Sequence, residues 1–390
     1  MPHLSQICSS CAACVNVCTR QAITMELNGE GFYRPVVDSE KCVQCGACEK
    51  VCPWLNNIVN PNLSAEKPRT VAAFAKDDSV RMASSSGGIF SVLAEKVLAD
   101  GGVIAGVAQL DKAHFGHVIV DNKADLPKLQ GSKYVQANPG LVYKSVRSFL
   151  REGRMVLFSG TPCQVAALYS VLGKTQYENL YTVDIVCHGT PSVKVWGKYV
   201  KELERKTGSK LEKCSFRNKD AGWGNYSLAY KFENGIETSI SHAQDDFMRL
   251  FLQRICQNES CVDCRYRKLP RIADITLGDF WGISNYHCEM NDNKGTSVVL
   301  LNTTHGMDLF NSIADQVKYC ESTVENAITG NPCIVRSSIQ HPRRAEFFAE
   351  LDQFPLSVLI RKFCPYPSLP KRALFKIRRI LGAVKRKILS

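Results

Sequence analysis

The sequence predicts an N-terminal α+β module over residues 1–60, an α/β body after it, and a basic amphipathic helix at the C-terminus. Three observations carry this. A four-cysteine run occurs twice within the first sixty residues, apolar strand-like and helix-like segments alternate from Val71 to Arg205, and ten cations with no acidic residue fill positions 361–390. The chain has 390 residues, 45% of them hydrophobic and 22% charged, which fits a globular protein with a core rather than a disordered one. It is long enough to bury that core without a disulfide scaffold. Its start lacks the basic and apolar runs of a signal peptide, and no 18-residue apolar stretch spans a membrane. The expected setting is the cytoplasm, where 18 cysteines mean metal ligands or reactive thiols.

The first module rests on spacing. Cys8, Cys11, Cys14 and Cys18 follow C-x2-C-x2-C-x3-C; Cys42, Cys45, Cys48 and Cys52 repeat it, and Pro53 follows. This is the run that holds two 4Fe-4S clusters in bacterial ferredoxins, with the fourth cysteine of each run serving the other cluster. Cys8, Cys11, Cys14 and Cys52 are therefore expected on one cubane, and Cys42, Cys45, Cys48 and Cys18 on the other. Ala12, Ala13, Gly46 and Ala47 keep the loops small, while Thr19 stands where the first run would have proline. Zinc sites are the competing reading, but they favour paired C-x2-C knuckles separated by a longer loop.

The polar, proline-bearing stretch from Asn60 to Arg69 reads as a linker. The body follows as alternating segments. Val71–Ala75 is a strand, Ile89–Leu98 a helix opened by Ser84-Ser85-Ser86-Gly87-Gly88, and Val103–Val107 and His117–Val120 are paired strands. Leu141–Leu150 is a helix, Met155–Ser159 a strand, and a helix starts at Cys163 after the turn Gly160-Thr161-Pro162. Tyr181–Val186 is a strand and Ser192–Arg205 a helix. Such alternation predicts a largely parallel sheet. The Ser84–Gly88 loop places amides at a helix N-terminus, a seat for phosphate or an ordinary cap. Gly131-Ser132-Lys133-Tyr134 adds a cation and a ring, or is a plain turn.

A further cysteine group lies in the body. Cys261 and Cys264 form a knuckle, Cys163 sits at a strand-to-helix turn, and Cys187 ends a strand before His188. These four suit one more cubane, with Cys256 as an alternative ligand. Other readings stand beside this one: a reactive thiolate at Cys163, a buried apolar Cys187, or zinc on the knuckle. Cys214, Cys288, Cys320, Cys333 and Cys364 lack partner spacing and read as core or surface thiols, and His188 as a structural or supporting residue.

Six stretches, in order, carry a resemblance: Ser85-Ser86-Gly87-Gly88, Gly131-Ser132-Lys133-Tyr134, Gly160-Thr161-Pro162-Cys163-Gln164, Cys187-His188-Gly189, Cys261-Val262-Asp263-Cys264, and Ala273 to Gly282. After a two-cluster ferredoxin module, they resemble the coenzyme F-420 hydrogenase/dehydrogenase beta-subunit family over residues 1–345. The resemblance implies a flavin, FAD, in the body with a 4Fe-4S cluster close to it. It implies hydride exchange with a deazaflavin or small molecule, and electron exchange with ferredoxin or another redox partner protein. By position, Cys163, Cys187, Cys261 and Cys264 become third-cluster ligands; Ser86, Gly87, Gly88 and Lys133 become flavin contacts. Asp279 falls near the cofactors and, with Lys133, is a candidate for catalysis. Asn218 to Gly224 and Cys187 to Ser192 are closer to bacterial members linked to cell-surface polysaccharide synthesis than to archaeal hydrogenase subunits.

The expected divisions are thus a ferredoxin domain at 1–60, a linker at 61–70, a flavin-loop domain at 71–155, a third-cluster domain at 156–350 and the tail at 361–390. In the tail Leu374, Ile377, Leu381, Val384 and Ile388 share a helix face. A basic amphipathic helix of this kind suits an anionic membrane surface, the body itself, or a partner protein. The net charge is 49 − 37 = +12, of which ten units belong to the tail, leaving +2 for the rest. Modules that pair basic and aromatic residues for nucleic acid are absent, so structural clusters in a nucleic-acid-binding protein are not favoured. The expected function is an iron–sulfur flavoprotein oxidoreductase; a non-catalytic electron-transfer subunit is the alternative.

Overall fold

The computed structural model of the protein describes residues 7–63 and 67–366. The N-terminal module is a short helix Ala13–Val17, an antiparallel hairpin of β1 (Ile23–Leu27) and β2 (Tyr33–Val37), and a helical turn Ala47–Lys50. The helices open at Ala12 and Gly46, both in the left-handed region at φ 58° and 71°. That explains the small residues at these positions, since bulky side chains are strained there.

The module is bonded to the body. Tyr143 donates from its hydroxyl to Cys11 O at 2.9 Å, Asn16 donates to Gly140 O at 2.8 Å, and Tyr266 donates to Pro53 O at 3.2 Å. Cys11 and Ala13 are buried in the same apolar cluster as Val165, Leu168 and Tyr143. The predicted linker is narrower than expected. Asn60 is buried and donates to Asp274 at 3.3 Å, and Arg69 already belongs to the first body strand.

The body strands are β3 (Arg69–Ala75), β4 (Val103–Gln109), β5 (Phe115–Val120), β6 (Ala137–Asn138), β7 (Val156–Gly160), β8 (Leu180–Ile185), β9 (Leu211–Asn218), β10 (Ser227–Phe232), β11 (Glu237–Ser241), β12 (Ile275–Asp279), β13 (Ser297–Leu301) and β14 (Val317–Ser322). Nine of them form one sheet in the order β14-β3-β13-β12-β8-β7-β4-β5-β6. The strand and helix positions follow the sequence expectation, but the sheet is mixed rather than largely parallel. It is parallel through its centre, β12-β8-β7-β4, and antiparallel at β4-β5 and from β12 out to β14. The reason is local at β4-β5. Only residues 110–114 separate those strands, too few for the crossover that a parallel neighbour needs.

A second antiparallel sheet, β11-β10-β9, packs its inner face with the helix Val193–Thr207 around Trp196, Phe216, Tyr230 and Phe247. The helix Leu356–Phe363 closes the same cluster with Leu356, Leu359, Ile360 and Phe363. Arg361 and Lys362, the first two cations of the predicted tail, belong to this helix. The amphipathic stretch beyond lies outside the described residues. No helix among the described residues is long and apolar enough to cross a membrane.

Candidate functional site: four cysteines beside a large cavity

The central parallel strands end on one side of the body, where turns after strands build a site. Thr161 caps the helix Pro162–Leu172 there, and its amide donates to Gln164 Oε1 at 2.9 Å. Pro162 takes the first helical position, where a missing N–H costs nothing. This fixes Cys163 at the helix start. Cys187 follows β8, and Cys261 ends a short helical turn capped by Asn258, whose Oδ1 accepts from Ser260 N at 3.2 Å.

Cys163, Cys187, Cys261 and Cys264 line one small enclosed space, together with Pro53, Trp54, Tyr266 and Arg271. All four are free thiols. Backbone amides are aimed at two of the sulfurs: Gly189 N donates to Cys187 Sγ at 3.4 Å, and Thr190 N to Cys261 Sγ at 3.4 Å. Burial raises Cys163 well above the ordinary thiol range, pushes Cys261 up to about 11, and raises Cys264. Such thiols stay protonated until a metal replaces the proton. The donor set and its amide bonds therefore fit a metal–sulfur centre. Cys256 is placed elsewhere, buried in the apolar cluster with Cys364.

The N-terminal cysteines fall into two groups. Cys8, Cys11, Cys14 and Cys52 influence one another electrostatically; burial pushes Cys11 up to about 12, and Cys8 and Cys14 are raised as well. Ser10 N donates to Cys8 Sγ at 3.3 Å. Cys18, Cys42, Cys45 and Cys48 surround a separate cavity of about 300 Å³, and Ala22 N donates to Cys18 Sγ at 3.3 Å. Cys45 is exposed, with Val43 beside it 60% exposed.

Next to the body cysteines opens a cavity of about 660 Å³, within the range of roughly 300–1,000 Å³ usual for small-molecule and cofactor sites. Cys163 and Cys187 line both spaces. The helices Ile89–Ala99 and Pro162–Leu172 both direct their N-termini at the cavity, which favours an anion. The two glycine-bearing loops meet at its wall, where Ser132 N donates to Ser85 Oγ at 2.7 Å. Ser86, Gly88 and Lys133 line the cavity, as does Asp279. Lys133 Nζ donates to Gln130 O at 2.7 Å, and burial pulls its ammonium down to about 7.

Gly87 is absent from the residues that face the cavity. A Cβ there would lie 2.4 Å from Ala73 O and 2.9 Å from Ser297 N, so the glycine lets the loop lie against β3 and β13. Gly87→Ala is expected to lower stability by about 1–3 kcal/mol through this overpacking, read as a drop in the thermal midpoint. An unchanged midpoint would show that the loop yields freely.

Asp279 accepts from Arg217 at 3.0 Å and from Trp223 Nε1 at 2.6 Å, so its carboxylate positions the wall. Sequence reasoning missed several wall residues. Arg217 lies 3.9 Å from the Tyr226 ring and 5.2 Å from Trp281. Lys219 donates to Arg81 O, Ser86 O and Lys294 O at 2.6–2.8 Å, pinning the serine-glycine loop. Arg217 immediately precedes the Asn218 to Gly224 stretch and lines the cavity, whereas Lys219 lies within that stretch and supports the wall from behind. His188 lines the cavity with Arg254 and Cys333, each 3.4 Å from one of its ring nitrogens.

Fold and cysteines define a class, an iron–sulfur protein of the oxidoreductase type: a 4Fe-4S dicluster domain model matches residues 7–56. The chain belongs to the coenzyme F420 hydrogenase/dehydrogenase beta-subunit family, whose N-terminal model matches residues 70–142 and C-terminal model residues 153–327. It is 20% identical over 190 residues to a subunit of the F(420)H(2) dehydrogenase of Methanosarcina mazei, covering 46% of this chain and 53% of that protein. The chain thus spans about half the length of the curated relative it matches. Among solved structures it is similar to a chain of the F420-reducing [NiFe] hydrogenase complex from Methanosarcina barkeri. That match has 19% identity and a TM-score of 0.47, over 78% of this chain and 94% of the other.

Proposed function

We propose that this chain is an iron–sulfur flavoprotein electron-transfer subunit with three 4Fe-4S clusters and one FAD. The observation that carries this is the shared wall: Cys163 and Cys187 border both the four-cysteine space and the large cavity. Ser9, next to Cys8, also borders both. On this reading, electrons would pass from the first ferredoxin site through the four-cysteine centre to the cavity. At the other end, exposed Cys45 and Val43 offer a landing place for ferredoxin or another redox partner protein.

A bound flavin would exchange electrons in pairs with a substrate and singly with the clusters. The residues of the chain do the rest. Two helix N-termini and Lys133 would hold the flavin's anionic groups, with Ser86 and Gly88 beside them. Arg217, Tyr226 and Trp281 shield one wall from water. The substrate is a deazaflavin or another small molecule. The resemblance of Cys187 to Ser192 and Asn218 to Gly224 supports a role in cell-surface polysaccharide synthesis. A cytoplasmic setting, with the basic tail on an anionic membrane surface, fits the tail's charge.

Anaerobic purification, absorbance and metal analysis test the reading. Flavin bands with about twelve irons per chain are expected; absence of flavin would sink it. Lys133 gives a second test. Free Lys133 loses its proton near pH 7, whereas an anion bound to it requires the charged form. Flavin affinity should therefore fall as pH rises above 7, by up to about tenfold per pH unit. Lys133→Arg keeps its charge and should flatten that fall. Lys133→Ala should bind about 10–100-fold more weakly below pH 7. A wild-type affinity independent of pH from 6 to 9 would remove Lys133 from the flavin site.

A further inference from the structure

We propose that His287, Glu289 and Cys320 form a zinc site, separate from the clusters and the cavity. The three offer one nitrogen, one oxygen and one sulfur within 4.8 Å of one another. They come from two elements. His287 and Glu289 lie on the loop between β12 and β13, and Cys320 lies on the edge strand β14.

The surroundings suit a borderline divalent cation. Tetrahedral zinc takes His nitrogen and carboxylate oxygen at about 2.0–2.2 Å and thiolate at about 2.3 Å, which sets ligand atoms about 3.3–3.7 Å apart. The distances need only a modest contraction, and Glu289, with its side chain 60% exposed, is free to swing. His287 Nδ1 already lies 3.9 Å from Glu289 Oε1. On the far side of the ring, His287 Nε2 lies 3.0 Å from Ser322 Oγ. With the Nε2 hydrogen donated to Ser322, the Nδ1 lone pair faces the carboxylate. That is how an outer partner usually fixes the tautomer of a ligating histidine.

Cys320 and Ser322 stand two residues apart on β14 and so share a face of the strand. The floor is apolar: Phe280 packs edge-on to the His287 ring at 6.4 Å, and Cys320 packs on the cluster containing Phe280, Ile283 and Met290. The Glu289 carboxylate bears on Cys320 Sγ with its negative charge, while Glu321 is paired with Arg69 at 2.6 Å. A divalent cation would relieve that charge. Three protein donors leave a fourth position for water.

Zinc here would tie the loop between β12 and β13 to the sheet edge. That loop carries Lys294 O, which accepts from Lys219, and Gly295 O, which accepts from Arg81, so it backs the serine-glycine loop of the cavity.

The test uses the full chain, purified anaerobically with its clusters, dialysed against micromolar zinc and then zinc-free buffer. About one zinc per chain is expected. His287→Ala and Cys320→Ser should each lose it with iron content unchanged. Glu289→Gln, a change at an exposed side chain, should weaken zinc binding at least tenfold without altering the thermal midpoint of the zinc-free protein. Cobalt in place of zinc should give a thiolate-to-cobalt absorption band that Cys320→Ser removes. No retained zinc, or zinc that persists in all three variants, would overturn the proposal; the second result would place the metal on the cluster cysteines.

Discussion

Cys261→Ala is expected to remove one cluster and leave the other cofactors in place. Cys261 lines the four-cysteine space but not the large cavity, so its loss should leave flavin bound. Iron should fall from about twelve to about eight per chain. The two N-terminal centres should remain, because their cysteines form separate groups. Electrons would then have to pass between the cavity and the Cys8 loop without the intervening centre. Reduction of the N-terminal clusters from the flavin should slow by at least about a hundredfold, on the scale of losing a metal centre's ligand rather than its outer support. Stopped-flow spectroscopy under anaerobic conditions would read this, with iron analysis alongside. Twelve irons in the variant would show that Cys261 is not a ligand. Full-speed transfer with eight would show that the flavin reaches the module directly.

The second large effect concerns stability. Arg271 and Asp184 form an ion pair at 2.9 Å with both side chains fully buried. Arg271 also donates to Tyr266 O at 2.8 Å and to Ile185 O at 3.2 Å, so it holds the knuckle side of the four-cysteine space to the end of β8. Burial works against the Asp184 charge, raising its pKa, and Arg271 opposes that shift. Arg271→Met would strand a carboxylate in the core. The expected cost is about 3–5 kcal/mol, a large part of the stability of an ordinary domain. The double variant Asp184→Leu with Arg271→Met removes both charges and should recover most of that loss. Denaturant unfolding of the wild type and the two variants checks the pattern. If the double variant is as weak as the single one, the pair matters through its neutral hydrogen bonds instead.

These two effects differ in how much of them could be read from the residues. The eight N-terminal cysteines were legible because ligand spacing is a local property of the chain. Segments such as Ile89–Leu98 and Met155–Ser159 were legible because periodicity is local too. The direction of a strand leaves no mark on its period, so the antiparallel run from β12 out to β14 was missed, whereas the short connection at 110–114 does mark the β4-β5 hairpin. Cys163, Cys187 and the Cys261/Cys264 knuckle lie in separate stretches, and only the tertiary fold brings them to one space. Spacing therefore left zinc, a reactive thiol or a cluster open. Arg217 and Lys219 look like ordinary surface cations in the sequence. Their burial depends on Asp279 and on carbonyls from distant loops.

The four body cysteines have one more consequence, for iron supply. They span 264 − 163 = 101 positions of the chain. A centre joining them acts as a cross-link, and closing a loop of that length is worth about 4–5 kcal/mol against the unfolded chain. Without iron the same segments keep only non-covalent ties, such as Arg271 between the knuckle and the end of β8. Loading the proposed cluster would then contribute to the stability of the fold itself. In an iron-starved cell the protein would be lost first by degradation of its unloaded form, before any loss of electron transfer in the molecules that remain.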